Sequence, residues 1–160
     1  MRAKLVLTAL VAFPVASVNA QLSPVTFSGV PQWADSALRA AGLDQTFRFS
    51  STLNPIYAFG DFDRDGLWDF AVEIVDTGGL RCGIAIVHRI DRSVHVVGAG
   101  RPLGNGRDAL PRGGWAVASA HRSHRFRGFG PDLLYVADPA AHSGWLVWDQ
   151  HSYVWIQADY

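Results

Sequence analysis

The 160-residue sequence has a single cysteine, Cys82, so no disulfide forms within the chain and a sulfur-stapled secreted fold is excluded. It has no surplus of either charge: 14 basic side chains balance 14 acidic ones. A dedicated nucleic-acid binder, which neutralises phosphates with excess Lys and Arg, is thereby disfavoured. Charged residues make up only 18% and hydrophobic ones 49%, which excludes extended disorder and suffices for one globular core. Heptad, collagen-like and longer internal repeats are absent. So are a Gly-x-Ser-x-Gly elbow, a phosphate-binding loop and a His-Glu-x-x-His pair, which removes the commonest signatures of catalysis. Glu73 is the one glutamate, so a carboxylate pair for glycoside cleavage would have to come from aspartates.

At the start, Arg2 and Lys4 precede an apolar run from Leu5 to Val18 that ends at Val18-Asn19-Ala20. A basic start, a short apolar centre and a small-residue exit predict a cleaved signal peptide over residues 1–20. The run is shorter than the roughly 20 residues of a membrane helix, so no span is expected after cleavage. No cysteine follows the cleavage point to carry a lipid. The expected location is periplasmic or secreted, with residues 21–160 forming a single β-rich domain. Removing the leader takes two of the 14 bases and none of the acids, leaving 12 arginines against 14 acidic side chains.

One helix is predicted, over about 31–41. Pro31 suits a first helical position, Gly42 a C-terminal stop, and Trp33, Ala37, Leu38 and Ala41 share one face. Beyond Pro55, short strands alternate with turns: 56–59, 68–75, 84–89, 93–97, 133–137, 145–148 and 153–157. With no helices between them, these predict a mainly β fold, an antiparallel meander sheet with one N-terminal α-helix. The glycine-rich stretch Gly98–Gly114 is predicted to be a long surface loop. Cys82, opening an apolar strand, is expected to be a buried, inert thiol.

The chemically informative segment is Asp61-Phe-Asp63-Arg-Asp65-Gly66-Leu67-Trp-Asp69. Carboxylates at positions 1, 3 and 5 of a tight loop converge, because alternate residues point inward. Gly66 permits the reversal that turns the Leu67 carbonyl toward the same centre, and Asp69 adds a further carboxylate. Clustered carboxylates repel one another unless a cation sits among them, and hard oxygen donors favour Ca2+ over zinc. A helix-flanked calcium loop would carry a glutamate at position 12. Val72 stands there instead, and both flanks read as strands, so the loop joins a β-hairpin over about 56–75. An ordinary Asp- and Gly-rich turn is the alternative.

The run Phe59-Gly-Asp61-Phe-Asp63-Arg-Asp65-Gly66-Leu67-Trp-Asp69-Phe-Ala-Val72 resembles the calcium loops of FG-GAP (VCBS) repeats in integrin-type β-propellers. The resemblance implies Asp61, Asp63, Asp65 and Asp69 as side-chain metal ligands and Leu67 as a backbone ligand, around one Ca2+. Because the loop lies far from other polar residues, that ion is expected to be a structural staple. A propeller needs at least four four-stranded blades, which a single loop and about eight strands do not provide. The order of helix, hairpin, Val97-Gly-Ala-Gly100, Gly104-Asn-Gly106 and Gly144-Trp-Leu-Val-Trp148 is similar to small exported bacterial proteins with one such hairpin, a group without an established activity.

Two weaker features complete the sequence. His121-Arg-Ser-His124-Arg-Phe-Arg127 reads as an exposed basic segment and, with Arg101, Arg107 and Arg112, offers a patch for an anionic partner. Trp145 and Trp148 stand three apart in one strand and should face opposite ways, one of them into the core. The leading expectation is a non-catalytic binding or interaction protein, of inhibitor or immunity type, with a protein partner in the periplasm or exterior. The alternatives are a small calcium-dependent hydrolase of envelope polymers and a carbohydrate-binding module.

Overall fold

The computed structural model describes residues 29–120, 126, 129–140 and 142–158. The segment 1–20, expected to be a leader, and, apart from Phe126, the basic segment 121–127 lie outside the described residues. Among those described, no helix is long and apolar enough to cross a membrane.

Helix α1 spans Gln32–Ala40. Pro31 stands just before it as the N-cap, with ψ 142°, and not inside the first turn as expected. Gly42, at φ +70°, ends it in the left-handed region, and its amide bonds to the Arg39 carbonyl at 2.9 Å. The buried face is Ala34, Ala37 and Leu38. Ala41, predicted on that face, is exposed because the helix has already turned into its cap. A second short helix, α2 (Leu43–Thr46), follows directly.

Among the described residues, nine strands form two antiparallel sheets. The first contains β1 (Phe47–Phe49), β2 (Tyr57–Gly60), β3 (Asp69–Asp76), β4 (Cys82–Val87) and β5 (Val94–Gly98). The long strand β3 pairs with β4 on one side and shares its other side between β1 and β2. The second sheet is a plain meander of β6 (Trp115–Ser119), β7 (Asp132–Val136), β8 (Gly144–Trp148) and β9 (Tyr153–Gln157). The fold is thus mainly antiparallel β, with the meander divided in two. The alanine-rich β6 and the three-residue β1 carry little intrinsic β signal and are held by their pairings.

Burial follows the pleat. Ala71, Ile84, Ile86 and Val97 of the first sheet face Leu134, Val136 and Leu146 of the second, enclosing the central core. On the other face, Phe70, Val72, Ala85 and Val87 pack against α1. With both faces covered, β3 and β4 read as near-continuous apolar runs. Leu133 and Val147 close a third cluster with Phe126 on the outside of the second sheet.

The Gly98–Gly114 segment is more than a surface loop. Leu103 and Leu110 are 1% and 6% exposed and sit in the central core, so the crossing between sheets is anchored by its own side chains. Cys82 is half-buried, not fully buried, because it lies at the start of β4 where the core thins.

Two polar devices fix the ends of the first sheet. Asp76 caps the β3–β4 turn, accepting from the amides of Leu80 and Arg81 and from Arg81 Nε at 2.8 Å. At the opposite end, the guanidinium groups of Arg89 and Arg92 lie 4.4 and 4.9 Å from the Trp33 ring centre. These cation–π contacts tie the β4–β5 connection to α1 and so place His88.

Candidate metal centre

The loop between β2 and β3 opens at the Gly60–Asp69 pair, the last rung of that hairpin. Phe62, buried in the central core, pins its first half. The Asp61 amide donates to Asp132 Oδ2 at 3.0 Å, which ties the loop to β7 of the other sheet. The site therefore sits at one end of the seam between the sheets.

Within the loop the aspartates order the backbone that carries them. Asp61 Oδ1 and Oδ2 accept from the amides of Arg64 and Gly66 at 2.8 and 3.1 Å. Asp63 Oδ1 accepts from the Asp65 amide at 3.0 Å, and Asp65 Oδ1 from the Leu67 amide at 2.6 Å. Gly66 takes φ +83° with open space around its α-carbon, so backbone conformation and not crowding requires glycine here. Arg64 shares the left-handed region at φ 72°.

The predicted ligands fall into two overlapping groups. Asp61, Asp63 and Asp65 offer oxygens that all lie within 4.8 Å of one another, a set that could hold a metal ion. Asp69 groups instead with Asp63 and His88, again within 4.8 Å. Leu67 lies in the same turn, with its amide bonded to Asp65. Asp69 is fully buried, and its two oxygens accept from the amides of Phe62 at 2.9 Å and Arg89 at 2.8 Å.

The electrostatics favour binding of a cation. Burial raises the Asp61 and Asp63 carboxyls above their ordinary range, and neighbouring carboxylates add to the effect. Burial pushes Asp69 up to about 7 despite the two backbone amides that oppose it. Asp65 Oδ2 is buried without a hydrogen-bond partner among the described residues. An orphaned carboxylate oxygen beside two further convergent carboxylates is the donor set of a hard divalent cation.

Beyond the loop lies a cluster that the sequence did not single out. His88, 2% exposed, places Nε2 2.8 Å from the Tyr153 hydroxyl and Nδ1 3.5 Å from Asp63 Oδ2. Ser93 Oγ lies 3.3 Å from His88 Nδ1 and 3.0 Å from His95 Nε2. Trp148 packs on both imidazoles, at 4.7 and 4.5 Å between ring centres. Burial lowers the pKa of both histidines, that of His95 to about 4, so neither supplies the loop with a cation near neutral pH. Strand alternation puts His88, His95 and Tyr153 on the facing sides of their sheets, but only the sheet packing reveals that those sides meet. Trp145 points the opposite way from Trp148, onto Phe126 and Tyr135.

Beside the loop is a cavity of about 490 Å³ lined by Asp63, Arg64, Phe129, Trp148, Asp149 and Gln150. Leu67 and Trp68, at the loop's tip, project into solvent, Trp68 with 70% of its surface exposed.

Fold and site together define a two-sheet antiparallel β protein with an acidic, cation-competent hairpin loop at one end of the seam. A scan against protein-family models and searches of curated proteins and of solved structures return no match to this chain.

Proposed function

We propose that this chain is an exported calcium-binding β protein that acts by binding another macromolecule and not by catalysis. The observation that carries the calcium reading is the buried, unpartnered Oδ2 of Asp65 beside the convergent oxygens of Asp61 and Asp63. The resemblance to FG-GAP loops supports the same ion, and the Asp61–Asp132 contact gives that ion a structural part to play, holding the hairpin against β7. The binding reading is supported by Leu67 and Trp68, large apolar side chains exposed on the very loop the ion would order. An inhibitor or immunity-type partnership in the periplasm or exterior is its concrete form.

The test is thermal unfolding with calcium and then with chelator, for the wild type and Asp65→Ala. A native-only site at about a hundred times its Kd stabilises by about 2.7 kcal/mol, a shift of several degrees in Tm. A shift in the wild type that is lost in the variant supports the reading, and no shift at millimolar calcium refutes it.

A second reading, a calcium-dependent hydrolase of envelope polymers, draws on the cavity beside the loop, where Asp63, Arg64 and Asp149 meet Trp148. It requires turnover of such a polymer that chelator abolishes. The carbohydrate-module reading has less support: the exposed neighbours Tyr57 and Phe59 meet edge-on at 81°, not as a coplanar platform.

A further inference from the structure

We propose that Asp63, Asp69 and His88 form a second metal site, for a first-row divalent ion of the zinc or manganese class, beside the oxygen-only loop site. Three donors from two different hairpins lie within 4.8 Å of one another, with Asp69 fully buried and His88 nearly so. The nitrogen donor changes the chemistry. Imidazole is a poor partner for calcium but suits zinc, iron and manganese, which accept mixed nitrogen and carboxylate ligation.

The surroundings of His88 are those of a held ligand. Its Nε2 meets the Tyr153 hydroxyl at 2.8 Å, an outer contact that orients the ring and leaves Nδ1 turned toward Asp63 Oδ2 at 3.5 Å. Ser93 has one hydroxyl proton, for which the Asp91 carboxylate and His95 Nε2 at 3.0 Å compete with His88 Nδ1 at 3.3 Å, so it is not committed to His88. Metal binding at Nδ1 requires the tautomer with its proton on Nε2, which the Tyr153 hydroxyl can accept, and in that form the Nδ1 lone pair and the Asp63 carboxylate oxygen are two acceptors that a cation would join. Asp69 is braced in the same way, by the amides of Phe62 and Arg89. The site rests on the calcium reading through Asp63, which both ions would share, and it claims Asp69, which the FG-GAP resemblance gives to calcium, for the second ion.

The experiment uses the untagged protein, stripped of metal and then saturated with calcium, titrated with Zn2+ by calorimetry and followed by imidazole 15N NMR. Binding of one Zn2+ with a large shift at His88 is expected. His88→Gln should weaken Zn2+ by about 100-fold or more while the calcium-dependent Tm shift persists. Tyr153→Phe should weaken it by about tenfold, the usual reach of an outer contact. Asp65→Asn should abolish the calcium shift and retain Zn2+, so failure of the calcium reading and failure of this one are distinguishable. The proposal is overturned if Zn2+ does not bind, or if binding survives His88→Gln. It is equally overturned if binding is lost in His121→Asn/His124→Asn, or if Asp65→Asn removes Zn2+ and calcium together. Should His88→Gln not fold, an unmoved His88 resonance in the wild type with Zn2+ overturns it on its own.

Discussion

His88, just past the end of β4, and Tyr153, the first residue of β9, meet at 2.8 Å across the seam between the two sheets. This polar contact links the sheets at the end where the acidic loop sits. Burial holds the Tyr153 phenol well above its ordinary pKa, so the hydroxyl stays protonated and the contact persists across the physiological range.

Removing that hydroxyl leaves a buried imidazole nitrogen without its partner. Tyr153→Phe should therefore lower stability by about 1–3 kcal/mol, read as a reduced urea midpoint with an unchanged m value. A neutral result would mean that water satisfies Nε2 and that the contact contributes little.

Asp65→Ala should have opposite effects with and without calcium. In chelator it removes one of three close carboxylates, and the metal-free protein should be unchanged or slightly more stable. With calcium it should lose the several-degree gain of the wild type. Two differential scanning runs per variant decide the matter.

Glu73 is buried on the seam side of β3, accepting from Ser50 Oγ at 2.6 Å, Thr52 Oγ1 at 3.0 Å and the Leu53 amide at 3.0 Å. It clamps the segment between β1 and β2. Glu73→Ala removes the acceptor of three donors, of which the Ser50 and Thr52 hydroxyls can still pair with each other, and should cost about 3 kcal/mol. Glu73→Gln, which keeps an acceptor, should cost less. Hydrogen exchange at residues 50–53 should rise in both variants, most in the alanine.

The Asp76–Arg81 contact gives an acid signature. Arg81, aided by the Leu80 amide, lowers the Asp76 carboxyl from its ordinary value to about 2. Because the folded pKa lies below the unfolded one, the stabilisation is complete above about pH 4 and is lost as pH falls toward 2. Arg81→Ala should lower stability at pH 6–8, where the wild type has the contact in full, and flatten the pH dependence below about pH 4 so that the two proteins converge near pH 2, as unfolding curves at stepped pH would show.

Much of this protein can be read from local order along the chain. The α1 amphipathic face, the Gly42 stop, the period-2 strands and the Asp61–Asp69 spacing are short-range patterns, each set by the geometry of a few consecutive residues. They located seven of the nine strands and brought the loop aspartates into view. Tertiary structure alone decided what those patterns meet. The division into two sheets depends on Leu103 and Leu110 finding a core built from distant strands, and the short β1 exists only because β3 offers it an edge. The partnership of His88 with Asp69 and Tyr153 joins residues up to 65 positions apart. Alternation along a strand tells which side a histidine faces. It does not tell which sheet will cover that side, because covering is set by long-range burial with no local period.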